Sequence, residues 1–143
     1  MTLHLIKLSV GTDSIDDLAA WQNLRLREMT LRGLAPELIH VTRQTPKKAE
    51  EILAGGSIYW VIKGGVVARQ KLLDLRPLKK DGIPYCGLVY DKNIIPVRWQ
   101  PRRAFQGWRY LEPKDAPPDR MPGDPDDAVP DEMRRELKAL GLI

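Results

Sequence analysis

The chain has 143 residues, 43% of them hydrophobic and 29% charged, with a net charge of +4, which is typical of a soluble globular protein and excludes a disordered one. No apolar run approaches the roughly 20 residues of a membrane span. Met1–Val10 lacks the unbroken apolar core of a signal peptide, so we expect a cytoplasmic protein that does not enter a membrane.

The N-terminal residues predict a strand followed by a helix. Leu3–Val10 alternates in the manner of a strand that is covered on both faces. Ser14 is a good N-cap for a helix that runs to about Arg32, where Gly33 ends it. The spacing of the apolar residues in this helix predicts that Trp21 is buried.

A second strand and a second helix follow. Glu37–Arg43 is β-branched and alternating, which indicates a strand. Thr45 is the predicted N-cap of the next helix, with Pro46 at its first position and Gly55 just past its end.

The rest of the domain predicts strands. The segment "SIYWVIKGGVVARQKLLDLRPL" contains two β-rich runs, and Gly64-Gly65 between them predicts a two-residue hairpin turn. Ile58, Trp60 and Ile62 lie on one face of the first run, so we expect Trp60 in the core. The segments "DGIPYCGLVYD", "NIIPVRW" and "GWRYL" predict three further strands.

This order of elements predicts one α+β domain over residues 1–111. We expect a small, curved, mostly antiparallel and barrel-like sheet of five or six strands, packed against two helices. Residues 112–143 are predicted to be a Pro-rich acidic tail that ends in a short helix beginning after Asp131. The tail carries nine acids and five bases, which leaves a net charge of +8 on the domain. A basic domain of this kind attracts polyanions.

The segment "RWQPRRAFQGWRY" (Arg98–Tyr110), termed here the basic aromatic segment, contains four arginines, four aromatic residues and no acid. Guanidinium groups bind phosphate oxygens and aromatic faces stack on unpaired bases, so the segment predicts a nucleic-acid or anion site. The alternative is that its tryptophans belong to the core and its arginines to a solvated surface. The candidate binding residues here are Arg98, Trp99, Arg102, Arg103, Phe105, Trp108 and Arg109.

The start of the second predicted helix gives another candidate anion site. Lys47 and Lys48 would lie in its first turn, where the helix dipole disfavours cations unless an anion is bound. The alternative is that the helix tolerates two exposed lysines at a modest cost in stability. The basic residues assigned to binding outside the basic aromatic segment, together with the predicted cap, are Arg43, Thr45, Lys47, Lys48, Lys63 and Arg69.

Catalytic and metal-ligating patterns are scarce. His4 and His40 lie in predicted strands without a second ligand at helical spacing, and no Gly-rich phosphate loop is present. Cys86, the single cysteine, excludes an internal disulfide and is expected to be a buried, inert thiol. We therefore assign no catalytic residue, no metal site and no cofactor.

Four segments of the chain resemble an uncharacterised alphaproteobacterial family, domain of unknown function family 1489. They are "HLIKLSVGTDSIDDLAAWQ", "HVTRQTPKKAEEILAGGSIYWVIKG", "ARQKLLDL" and "RRAFQGWRYLEPKDAPPD". That family has no assigned activity. The helix ending in Gly-Gly and the hairpin after it are also similar to PUA-like domains (the PUA, ASCH and EVE group). This second resemblance implies a small β-barrel and RNA or modified bases as ligands in a cleft beside it.

The expected function is non-enzymatic binding of RNA or a nucleotide-like ligand through a basic aromatic surface. One alternative is a hydrolase acting on a small nucleoside-like substrate, since some ASCH-like proteins are hydrolases. Another is a protein-interaction module. The sequence does not distinguish the ligand or the oligomeric state.

Overall fold

A computed structural model describes residues 2–120, and the predicted C-terminal helix lies outside them. The order of elements confirms the predicted one, with five strands after the second helix. The strands are β1 (His4–Leu8), β2 (Leu38–Thr42), β3 (Ser57–Ile62), β4 (Gly65–Lys80), β5 (Ile83–Tyr90), β6 (Ile95–Pro101) and β7 (Trp108–Leu111). The helices are α1 (Ile15–Leu31) and α2 (Ala49–Leu53), and a 3-10 turn forms at Pro113–Asp115.

The seven strands form one sheet in the order β2-β5-β4-β3-β1-β7, with β6 paired to β4. Among the named strands of residues 2–120, β1 and β3 are parallel and the other pairs are antiparallel. The fold is therefore α+β with a mostly antiparallel sheet, as predicted. It has more strands than the expected five or six, and the sheet is open rather than closed into a barrel.

Strand β4 connects the two halves of the sheet. One half contains β1, β3, β6 and β7, and the other contains β2 and β5. Its first part pairs with β3 on one edge and β6 on the other, while its second part pairs with β5. The register shifts between Leu72 and Asp74, where the pairing with β5 begins. Such an irregularity bends a strand and increases its twist, which lets one strand serve both halves.

The turn between β3 and β4 is one residue earlier than predicted. Lys63 and Gly64 have φ angles of 46° and 81°, so they form the two-residue turn, and Gly65 is already part of β4, paired with Ile62. A Cβ atom at Gly65 would overlap the indole of Trp99. Contact with this distant tryptophan therefore explains the second glycine of the pair.

Helix α1 begins as predicted and exposes a different face from the one predicted. Ser14 caps it by accepting a hydrogen bond from the backbone N–H of Asp17, and Gly33 follows its end with a φ of 76°. Leu18 and Gln22 are its buried residues, whereas Trp21 is 49% exposed, so the prediction that Trp21 is buried is wrong. Within residues 2–120, neither helix combines the length and the apolarity needed to cross a bilayer.

The buried side chain of Gln70 joins α1 to the sheet. Its Oε1 accepts hydrogen bonds from Gln22 Nε2 at 2.8 Å and from Trp60 Nε1 at 2.9 Å. Its Nε2 donates to Gln22 Oε1 at 2.8 Å and to the carbonyl of Asp91 at 2.9 Å. The carboxamide uses both of its donors and two acceptor positions, so its burial leaves no polar group unsatisfied.

The contrast between two tryptophans gives a test of this packing. Trp60 is 3% exposed and Trp21 is 49% exposed. Trp60→Ala should lower the free energy of unfolding by about 3–5 kcal/mol, because it empties a core site. Trp21→Ala is the matched control and should cost less than about 1 kcal/mol. Urea unfolding measures both values, and equal losses would contradict the assignment of Trp60 to the core.

Candidate nucleic-acid interface

Two hydrogen bonds join the basic aromatic segment to the loop that follows β2, which contains the lysines of the second candidate site. The indole N–H of Trp108 donates to the carbonyl of Gln44 at 2.7 Å, and the backbone N–H of Lys47 donates to the Tyr110 hydroxyl at 2.9 Å. Trp108 is buried, and the Tyr110 ring packs edge-on against it at 4.8 Å. The loop after β2 is thereby fixed beside β7.

A cavity of about 650 Å³, here called the basic groove, lies between these two segments. Three of the described residues that line it are cationic and none is acidic. The cationic residues come from three elements, with Lys7 on β1, Arg43 after β2 and Arg109 on β7. The lining residues are Lys7, Val41, Thr42, Arg43, Gln44, Gln106, Gly107, Trp108 and Arg109.

Phe105 holds two of the arginines of the basic aromatic segment. The guanidinium carbons of Arg102 and Arg109 lie over its ring, 5.3 Å and 5.4 Å from the centroid. Phe105 is half-buried and packs against a core cluster that includes Ile6 of β1 and Leu111 of β7. Its ring therefore contacts both a core cluster and two guanidinium groups.

The predicted anion site at the start of the second helix depended on a helix that begins at Pro46, and the helix begins later. Helix α2 begins at Ala49, its N-cap is Lys48, and no side chain caps it. Thr45 therefore does not cap this helix, and Lys47 and Lys48 do not lie in its first turn. Lys48 Nζ instead lies 5.6 Å from the centroid of the Tyr110 ring.

Arg69 and Lys63 are engaged within the fold. The Arg69 guanidinium donates from Nε and Nη2 to the two carboxylate oxygens of Asp119, both at 2.8 Å, and from Nη1 to Ser57 Oγ at 2.9 Å. This pairing lowers the pKa of Asp119, chiefly through the hydrogen bond from Arg69. Lys63 Nζ lies 3.6 Å from a carboxylate oxygen of Asp13. An acid of the predicted tail thus neutralises one predicted binding residue.

The remaining predicted residues occupy β6 and the loop after it. Arg98 and Arg103 are exposed, and Arg98 donates its backbone N–H to the carbonyl of Pro118 at 2.8 Å. Trp99 is half-buried against Gly65. The core interpretation of the tryptophans therefore fits Trp108 and largely fits Trp99, while Arg98 and Arg103 remain at the surface.

A second cavity, of about 540 Å³, lies between helix α1 and the sheet and is here called the aromatic cleft. Its walls include four ring-bearing residues from four different elements, and the sequence analysis assigned none of them to a site. They are Trp21 on α1, His40 on β2, Trp60 on β3 and Tyr90 on β5. No signal in the sequence indicated this cleft, because the apolar spacing of α1 predicted a buried Trp21.

The rings in the cleft contact one another edge to face. The Trp60 ring centroid lies 5.9 Å from that of His40 and 5.7 Å from that of Tyr90, with interplanar angles of 72° and 70°. Burial, with a smaller effect of the Lys7 charge, lowers the pKa of His40 to about 4. Burial raises the pKa of Tyr90 to about 12. Both side chains are therefore uncharged at neutral pH.

The mouth of the cleft is polar. Ser9, Gly11, Thr12 and Asp17 line it together with the exposed side chain of Val10. The hydroxyls of Ser9 and Thr12 share a hydrogen bond of 2.7 Å. Asp17 Oδ2 accepts a hydrogen bond of 3.0 Å from the backbone N–H of Asp13. The loop from β1 to α1 is thus held by its own side chains.

A family model for the protein family of unknown function DUF1489 matches residues 5–143. The chain belongs to this family. The match confirms the stronger of the two sequence resemblances and covers both the basic groove and the aromatic cleft. No curated protein and no solved structure matches the chain.

The half-buried side chain of His40 makes the stability of the fold depend on pH. The folded pKa of His40, about 4, lies below its ordinary value of 6.5, so the unfolded chain binds more protons between these values. The contribution of the uncharged His40 to the free energy of unfolding should be complete above pH 6.5. As the pH falls toward 4, the free energy of unfolding should decrease by up to roughly 3 kcal/mol. Chemical unfolding measured at pH 7, 6 and 5 checks this.

His40→Gln is the matched variant for this measurement. It should reduce the loss of stability between pH 6.5 and pH 5, where most surface carboxylates are still ionised. Some loss should remain, because burial and the charge of Arg69 also lower the pKa of His4. His4 Nδ1 accepts a hydrogen bond from the backbone N–H of Ser57 at 3.0 Å, which requires the unprotonated nitrogen. An unchanged pH profile in His40→Gln would contradict the assignment.

Proposed function

We propose that the protein binds single-stranded RNA, or a ligand with the same phosphate and base chemistry, through the basic groove and the basic aromatic segment. The observation that carries this proposal is the joining of two separate basic segments by the Trp108–Gln44 and Lys47–Tyr110 hydrogen bonds. Binding alone is proposed, without a reaction.

The chemistry of the groove favours phosphate. Arg43 and Arg109 line a cavity without an acidic lining residue among those described, and Arg102 lies with Arg109 over the Phe105 ring. Guanidinium groups form paired hydrogen bonds with phosphate oxygens, and neighbouring cations add to the local potential. A basic groove beside aromatic side chains is the usual arrangement for single-stranded nucleic acids.

The proposal extends to fold relationship and location. We propose that the open sheet is a PUA-like fold in which β4 connects the two halves, and that the protein is bacterial and cytoplasmic. Support for the fold relationship is the short helix α2, followed by Gly55 and Gly56, that leads into the β3–β4 hairpin. RNA binding by PUA-like proteins is consistent with the proposed ligand and is an analogy at the level of fold.

A hydrolase acting on a small nucleoside-like substrate is the second candidate. It is favoured by the lowered pKa values of Lys7 and His40. Burial lowers the pKa of Lys7, and the Lys7 charge contributes to the low pKa of His40. Groups with pKa values shifted in this way are candidates for acid–base chemistry. If the unaltered protein hydrolyses a component of a nucleotide mixture and the Lys7→Met variant does not, this candidate is supported over simple binding.

The salt dependence of binding tests the proposed phosphate contacts. If Arg43, Arg102, Arg103 and Arg109 each contact one phosphate of a single strand, log K should fall against log[salt] with a slope near −3. A fourfold rise in salt should then weaken binding roughly fifty-fold. The double variant Arg43→Ala/Arg109→Ala should reduce the magnitude of the slope by about 1.4. Fluorescence anisotropy with a labelled RNA strand measures both slopes.

A charge-matched control removes two arginines from helix α1 and its C-cap. Arg27 and Arg32 line neither the basic groove nor the aromatic cleft. Arg27→Ala/Arg32→Ala should therefore leave the slope close to that of the unaltered protein. Equal effects of the two double variants would indicate attraction by net charge alone. The absence of RNA binding at low salt would refute the proposal and would favour a protein-interaction module.

A further inference from the structure

We propose that the aromatic cleft receives one unpaired base of the bound strand and that Trp21 forms the wall on which this base stacks. The inference deepens the proposed function and rests on it, because it assigns a base-binding position beside a phosphate-binding groove. The ligand class is a planar heteroaromatic ring with hydrogen-bonding edges.

Trp21 is the first observation behind this assignment. Its side chain is 49% exposed although it belongs to a helix that buries Leu18 and Gln22. The exposed surface faces a cavity whose other walls include Trp60, Tyr90 and His40. A large exposed aromatic surface that borders an aromatic-lined cavity is a feature of ligand sites rather than of solvated helix faces.

The far wall of the cleft is rigid. The Trp60 indole donates to Gln70 Oε1, which is itself held by Gln22, and the rings of Tyr90 and His40 pack edge-on against Trp60. These side chains therefore hold one arrangement in the absence of ligand. A preformed wall lowers the entropic cost of binding a ligand.

The cleft and the basic groove share two strands. Strand β1 supplies Lys7 to the groove and Ser9, just past its end, to the cleft, while β2 supplies His40 to the cleft and leads into Arg43 in the groove. Three residues of extended chain span about 10 Å. A base in the cleft and a phosphate in the groove can therefore belong to the same short oligonucleotide.

The hydrogen-bonding groups that line the cleft suit the edge of a base. Aromatic cages also bind quaternary ammonium groups. Here the Asp17 carboxylate lines the cleft and would attract such a group, whereas the Lys7 charge, which acts on His40, opposes it. The hydroxyls of Ser9 and Thr12 and the carboxylate of Asp17 supply donors and acceptors for the edge of a base.

Binding of two labelled strands of about ten nucleotides tests the inference, one an RNA of mixed sequence and the other an abasic strand of equal length. Trp21→Ala should weaken binding of the RNA roughly 5- to 150-fold, the range expected for losing one stacked base. It should leave the salt slope and the affinity for the abasic strand unchanged. Leu31→Ala, which removes another exposed side chain from α1, should change neither affinity. Thermal unfolding verifies that both variants are folded.

The outcomes separate this inference from the proposed function. Salt-dependent binding of both strands, with Trp21→Ala affecting both equally or neither, would overturn the base site and leave the phosphate groove in place. If neither strand binds at low salt, the proposed function is refuted and, with it, the base site. A trimethyllysine peptide that binds the unaltered protein but not Trp21→Ala, with no effect on RNA, would identify a cation receptor and overturn the inference.

Discussion

The buried Gln70 carboxamide is the constraint on which the arrangement of helix and sheet depends. It joins α1 through Gln22, β3 through Trp60 and the end of β5 through the Asp91 carbonyl. Apolar packing alone would allow α1 to slide or rotate on the sheet, whereas reciprocal amide hydrogen bonds fix one position because any other leaves a buried polar group unpaired. The width of the aromatic cleft is set by this position.

Much of the fold could be predicted because its signals are local. Capping at Ser14, the glycine after each helix and the alternation within strands depend on neighbouring residues, and they gave the order of elements correctly. The errors come from distant contacts. Trp99 packs against Gly65 and accounts for the second glycine of the pair, which had suggested a later turn. The polar residue Gln22 occupies the buried face of α1, so an apolar pattern placed Trp21 there instead.

The candidate site was predicted only in part. The arginines of the basic aromatic segment are recognisable from their density in the sequence, and Arg109 lines one groove together with Arg43. Arg69 could not be separated from them, because its partner Asp119 lies 50 residues away in a segment expected to be a tail. The aromatic cleft was missed because its rings come from four elements. No spacing within the chain brings them together before the sheet forms.

Pairing of β1 with β7 has a consequence for biosynthesis. His4 of β1 lies opposite Leu111 of β7, so β1 gains one of its two neighbours only after more than a hundred further residues have been made. The wall of the groove formed by Trp108 and Arg109 is likewise the last to appear. A nascent chain can therefore assemble the β3–β4 hairpin early, yet the basic groove is incomplete until β7 has been made.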